Sequence, residues 1–123
     1  MNSHLLRWAA APTLALAAAG ACSGAGADRT VAVGAVDYRF SGMDGFAGRA
    51  GERVEFVLTN TGSADHEFEV FDADGKAVGE VGPTSAGKTK KVTLKLAKPG
   101  TYRFVCGVSD HEARGMTGTF TVT

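Results

Sequence analysis

The chain has 123 residues, 13 basic and 13 acidic side chains, 17 glycines, three prolines, two cysteines and three histidines. That length suits one domain with one core, and a balanced charge argues against a protein that grips nucleic acid by its phosphates. Two cysteines permit at most one disulfide and exclude a tetra-cysteine zinc site.

Residues 1–8 carry Arg7, residues 9–21 read AAAPTLALAAAGA, and Cys22 follows. A charged start, an apolar run and small residues before a boundary form a secretory signal. With Trp8 the run is about 14 residues, short of the ~20 that a spanning helix needs. Small residues directly before a cysteine resemble the bacterial lipoprotein signal, which implies cleavage before Cys22 and lipidation of that cysteine. Ala19 stands where that pattern usually has Leu, and ordinary cleavage after Ala21 or Ala27 is the alternative. The expected organisation is a signal over 1–21, a flexible tether over 22–28 and a folded domain over 29–123. Export places the domain outside the cytoplasm, on the outer face of the membrane, in the periplasm or secreted, with Cys22 as the membrane anchor.

From residue 29 onward apolar residues alternate with period two, the pattern of strands buried on one face. Val31, Val33 and Ala35 are in one phase, and Val36, Tyr38 and Phe40 are in the other, so a bulge or change of sheet is expected near 34–36. Val54, Phe56 and Leu58 form the next inward row, followed by His66, Phe68 and Val70. Val92, Leu94 and Leu96 come next, then Tyr102, Phe104 and Cys106, then Phe120 and Val122. Turn residues separate these rows at Asn60-Thr61-Gly62, Asp74-Gly75, Gly82-Pro83 and Pro99-Gly100. Seven to eight short strands in about 100 residues predict an all-β, antiparallel Greek-key sandwich. Lys88, Lys90, Lys91, Lys95 and Lys98 read as a solvated strand edge.

Beyond the signal, the imidazole and sulfur side chains form a sparse set: His66, Cys106, His111 and Met116. The last three stand as Cys-x4-His-x4-Met in the loop between the last two strands. Two imidazoles, a thiolate and a thioether suit copper, because sulfur donors accept Cu(I) and imidazole also serves Cu(II). Zinc accepts two imidazoles and a thiolate but seldom recruits methionine, and calcium would need clustered carboxylates. Taken singly, His66 reads as a hydrogen-bonded core residue and Met116 as core filling. A Cys22–Cys106 disulfide is the competing use of the sulfur.

The run VEFVLTN, then DHEFEV, VTLKLAKPGTYRFVC and HEARGMTGTFTV resembles the cupredoxins, the small blue copper proteins, over nearly the whole chain after the signal. The resemblance implies His66, Cys106 and His111 as equatorial ligands of one type 1 copper ion. It also implies Met116 as a weak axial ligand, the Asp65 carbonyl approaching opposite it, and Tyr102 and Phe104 as an apolar wall. The implied function is single-electron transfer between redox partners that dock near an exposed edge of His111. A copper storage, delivery or tolerance module is the alternative, and a metal-free interaction domain is the third reading. Neither enzyme activity nor a nucleic-acid partner is expected, and a monomer is. Glu67 departs from the family, which often has Asn or Ser after the first histidine. The polar residues Asp110, Glu112 and Arg114 replace its apolar docking patch, leaving Met43, Phe46 and Ala113 as a smaller candidate patch.

Overall fold

The computed structural model describes residues 26–123, so the signal sequence and Cys22 lie outside the described residues. Among the described residues there are nine strands in chain order: β1 (Arg29–Val36), β2 (Arg39–Ser41), β3 (Ala47–Gly48), β4 (Glu52–Asn60), β5 (His66–Phe71), β6 (Ala77–Thr84), β7 (Thr89–Leu96), β8 (Gly100–Val105) and β9 (Thr117–Val122). They form two sheets, β2-β1-β4-β7 and β3-β9-β8-β5-β6. The sandwich is the one the alternation predicts, since each inward row closes on the other sheet.

Two details differ from the sequence expectation. Both sheets are mixed: β1 runs parallel to β4 and β3 parallel to β9, while the other pairs are antiparallel. Alternation records which face of a strand is buried and carries no information about a neighbour's direction. The phase slip near residues 34–36 is neither a bulge nor a change of sheet. It is a tight reversal in which Val36 pairs with Arg39 and Ala35 with Phe40. The turn carries Asp37 and Tyr38 to one end of the sandwich.

The core is strongly aromatic. Phe56 and Phe68 are fully buried at 5.2 Å between ring centroids, and Phe40 meets Phe68 and Phe104 edge-on at 5.3 and 5.6 Å. Edge-to-face packing of this kind adds about 0.5–1.5 kcal/mol per pair beyond burial alone. Phe40 on β2 thus ties one sheet to Phe68 and Phe104 on the other, directly beneath the strand ends that carry His66 and Cys106. Tyr102, also fully buried, sits four residues back along the strand and donates its hydroxyl to the Lys98 carbonyl at 2.8 Å.

The lysine expectation agrees with the structure: Lys88, Lys90, Lys91, Lys95 and Lys98 are all exposed, and β7 is an edge strand. Charge on an edge deters pairing with another sheet.

Candidate metal centre

His66 is the first residue of β5, and Cys106 follows the last residue of β8, its neighbour in the sheet. His111 lies in the connection from β8 to β9, and Met116 immediately precedes β9. All four predicted residues are buried: His66, Cys106 and Met116 completely, His111 at 5% exposure. His66, Cys106 and His111 each point one ligand atom to a common place, and these atoms lie within 4.8 Å of one another. Cys106 Sγ is 3.4 Å from His111 Nδ1 and 3.9 Å from His66 Nδ1. An ion about 2.3 Å from sulfur and 2.0–2.1 Å from nitrogen, at angles of about 100–130°, spaces its donors by about 3.3–3.9 Å. The two sulfur–nitrogen separations therefore fit one shared metal ion.

The connecting loop is fixed by its own backbone. Cys106 donates its amide to the Met116 carbonyl at 3.0 Å, and Met116 donates its own to the His111 carbonyl at 3.0 Å. Further turns close from His111 to Val108 and from Gly115 to Glu112. Gly115 allows the last turn, because its φ of +101° is strained for any residue with a Cβ. These bonds place Met116 beside Cys106 and His111, with its side chain fully buried at the same end.

The sulfur is held in place, and the imidazole is kept ready for a cation. The Glu67 amide donates to Cys106 Sγ at 3.4 Å, a contact that fixes the position of the sulfur. Burial, and then the neighbouring His66 imidazole, push His111 below its ordinary pKa, which favours the neutral ring a metal requires. Cys106 is a free thiol among the described residues. Glu67 stands with its carboxylate near Gly107, and burial followed by Glu80 and Glu69 raises its pKa.

Three residues that sequence reasoning left out of the site shape it. Asn60 is fully buried at the end of β4 and donates Nδ2 to the carbonyls of Ala64 and Thr84, both at 2.7 Å. Its Oδ1 accepts the Gly62 amide at 2.9 Å, so one side chain holds the whole segment leading into His66. Asp37 accepts hydrogen bonds from the Ser63 amide and hydroxyl and from the Ala64 amide, and its Oδ1 lies 2.7 Å from His66 Nε2. Gly62 permits this approach, since a Cβ there would lie 2.4 Å from Asp37 Oδ1. Tyr38 lies edge-on to His111 and carries Arg114 over its own ring at 4.5 Å. Arg114 in turn pairs with Asp110 at 2.8 Å. The phase slip at 34–36 was the sequence signal for Asp37 and Tyr38.

Three expectations about this end need correction. The His111 edge is not exposed, because Tyr38 packs against it. Met43 is a core residue, and Phe46 packs on Phe56 and Phe120, so neither joins Ala113 in a surface patch. The apolar floor is built by Phe104 with Phe68 and Phe40 rather than with Tyr102.

Comparison with known proteins agrees with this architecture. The cupredoxin-like domain model matches residues 6–122, and no curated protein sequence matches the chain significantly. Among solved structures, the chain is similar to a dithionite-reduced auracyanin from the photosynthetic bacterium Roseiflexus castenholzii. Identity is 20% and the TM-score 0.69, over 80% of this chain and 99% of that one. It is also similar to auracyanin A, a blue copper protein from the green thermophilic photosynthetic bacterium Chloroflexus aurantiacus (18%, TM-score 0.64, 76% of this chain and 98% of that one). A third is rusticyanin from Thiobacillus ferrooxidans (22%, TM-score 0.60, 76% and 77%).

Proposed function

The chain belongs to the cupredoxin-like domain family, and from that premise we propose that it is a mononuclear type 1 copper protein that carries single electrons between redox partners. The observation that carries this reading is the buried cluster of His66, Cys106 and His111, with Nδ1 of each histidine facing Cys106 Sγ. Met116, buried beside it, would add a thioether donor, and the set would suit an electron-transfer copper site. Copper bound there supplies a one-electron Cu(II)/Cu(I) couple.

The protein's part is rigidity and exclusion of water. His66 is fixed by Asp37, Cys106 by the Glu67 and Met116 backbone, and His111 by the turns of its loop. Donors held this way change position little when the charge at the site changes by one, which keeps reorganisation small. Phe40, Phe68 and Phe104 close the site from below, and Tyr38 with Arg114 covers His111.

Burial of all three ligands favours a resident cofactor over copper as cargo for storage, delivery or tolerance, because cargo sites need easy ligand exchange. The two are separated by measuring copper retention against a strong chelator alongside the electron self-exchange rate. Slow loss with rapid exchange supports the carrier, and rapid loss with slow exchange contradicts it.

Placement outside the cytoplasm and anchoring through Cys22 rest on residues 1–22, which lie outside the described residues. Mass spectrometry of the membrane fraction tests them: a diacylated N-terminal Cys22 is expected, and an unmodified N-terminus at Cys22 or Asp28 contradicts the anchor. A redox partner would approach over Tyr38 and Arg114, which cover His111.

A further inference from the structure

We infer that Asp37 is a positioning residue of the metal centre: its carboxylate holds His66 as the Nε2–H tautomer and so keeps the Nδ1 lone pair turned toward Cys106. The inference deepens the copper reading and rests on it only for the identity of the metal.

The two nitrogens of the buried His66 ring face different partners. His66 Nδ1 faces Cys106 Sγ at 3.9 Å and belongs to the cluster of converging ligand atoms, while Nε2 lies 2.7 Å from Asp37 Oδ1. A carboxylate only accepts hydrogen bonds when ionised, so Nε2 must be the donor. The neutral ring then has its lone pair on Nδ1. A carboxylate behind a ligating imidazole fixes both tautomer and ring orientation and raises ligand basicity.

Asp37 is itself held in place for this task. Its Oδ2 takes the Ser63 amide at 3.0 Å and the Ser63 hydroxyl, and its Oδ1 takes the Ala64 amide at 3.3 Å. These donors fill acceptor sites on both carboxylate oxygens and fix the orientation of the group. The residue comes from the turn between β1 and β2, in the other sheet from His66, so the contact also spans the sandwich.

A purely structural alternative is that Asp37 only anchors residues 61–65. Two variants separate the roles. Asp37→Asn keeps the size and part of the hydrogen bonding but presents an amide to its four donors. With the carbonyl on the two Ser63 donors, the amino group faces His66 Nε2 and drives the proton to Nδ1. Ser63→Ala weakens the same anchoring and leaves the carboxylate on His66.

The primary test needs no metal. In long-range 1H–15N spectra of the wild-type apoprotein, His66 should show a protonated Nε2 and a bare Nδ1. A proton on Nδ1, in either the other tautomer or the doubly protonated ring, overturns the inference. In copper titrations Asp37→Asn should lose about 10- to 100-fold in affinity, the usual cost of removing such a partner, and Ser63→Ala far less. Equal losses in the two variants, or no loss in Asp37→Asn, also overturn it. A wild-type protein that takes up no copper would defeat the copper reading, while the apoprotein spectrum would still decide the role of Asp37.

Discussion

The ring of Tyr38 lies 4.7 Å from the ring of His111, centroid to centroid, at an interplanar angle of 63°. This edge-on contact leaves His111 only 5% exposed and makes tyrosine, rather than solvent, the nearest neighbour of the imidazole on that side. The guanidinium of Arg114 covers the tyrosine in turn, 4.5 Å above the ring centroid in a cation–π contact.

Tyr38→Ala should therefore open the site without unfolding it. Copper release to a chelator is expected to accelerate severalfold or more while the charge-transfer spectrum keeps its form. An unchanged release rate would show that Tyr38 is not the barrier.

Met116→Leu should leave copper bound, because His66, Cys106 and His111 remain, and the near-equal volume should cost less than about 1.5 kcal/mol of stability. Loss of the thioether donor disfavours the more highly charged ion, so the reduction potential should rise. Voltammetry checks the direction: an unaltered potential would place the thioether outside the coordination sphere.

Asn60→Ala removes three hydrogen bonds from buried or half-buried groups on Gly62, Ala64 and Thr84. At about 1 kcal/mol each, more where a carbonyl is left unpaired, the apoprotein should lose about 3–4 kcal/mol. Chemical denaturation of the metal-free form measures this without interference from copper binding.

The acid limb of the stability profile should depend on Asp72. Its carboxylate accepts the Lys76 and Asp74 amides at 3.0 and 2.9 Å and faces Lys98 at 3.3 Å, and the Lys76 amide leads in lowering its pKa. A lowered folded value means that ionised Asp72 stabilises the fold above the unfolded pKa of about 3.9. That contribution is lost as pH falls through the lower folded value. Asp72→Asn should thus be less stable than wild type at neutral pH, with the difference shrinking below about pH 3.9. A constant difference across this range would contradict the assignment.

Much of this was legible in the sequence because burial writes itself into strands with period two. The rows through Val54, His66 and Tyr102 put His66 and Cys106 on inward faces from alternation alone. The spacing Cys-x4-His-x4-Met then left the other two ligands in a single connection. Strand direction was not legible, since β1 pairs parallel to β4 without any change in its alternation. The partners of His66 and His111 showed only as the phase slip near residues 34–36, which names neither contact. Asp37 and Tyr38 lie 29 and 73 residues from those histidines in the chain. Only the reversal between β1 and β2 brings them to the same end. Asn60 looked like a turn residue, and its role became visible only with the carbonyls it joins.

The most direct test of the central claim is the visible absorption of the purified domain on adding Cu(II), for wild type and Cys106→Ser together. One equivalent should give wild type an intense blue thiolate-to-copper band that bleaches reversibly on reduction, and the serine variant should stay nearly colourless while still folded. A colourless wild-type protein, or a blue band that survives in Cys106→Ser, would contradict the account.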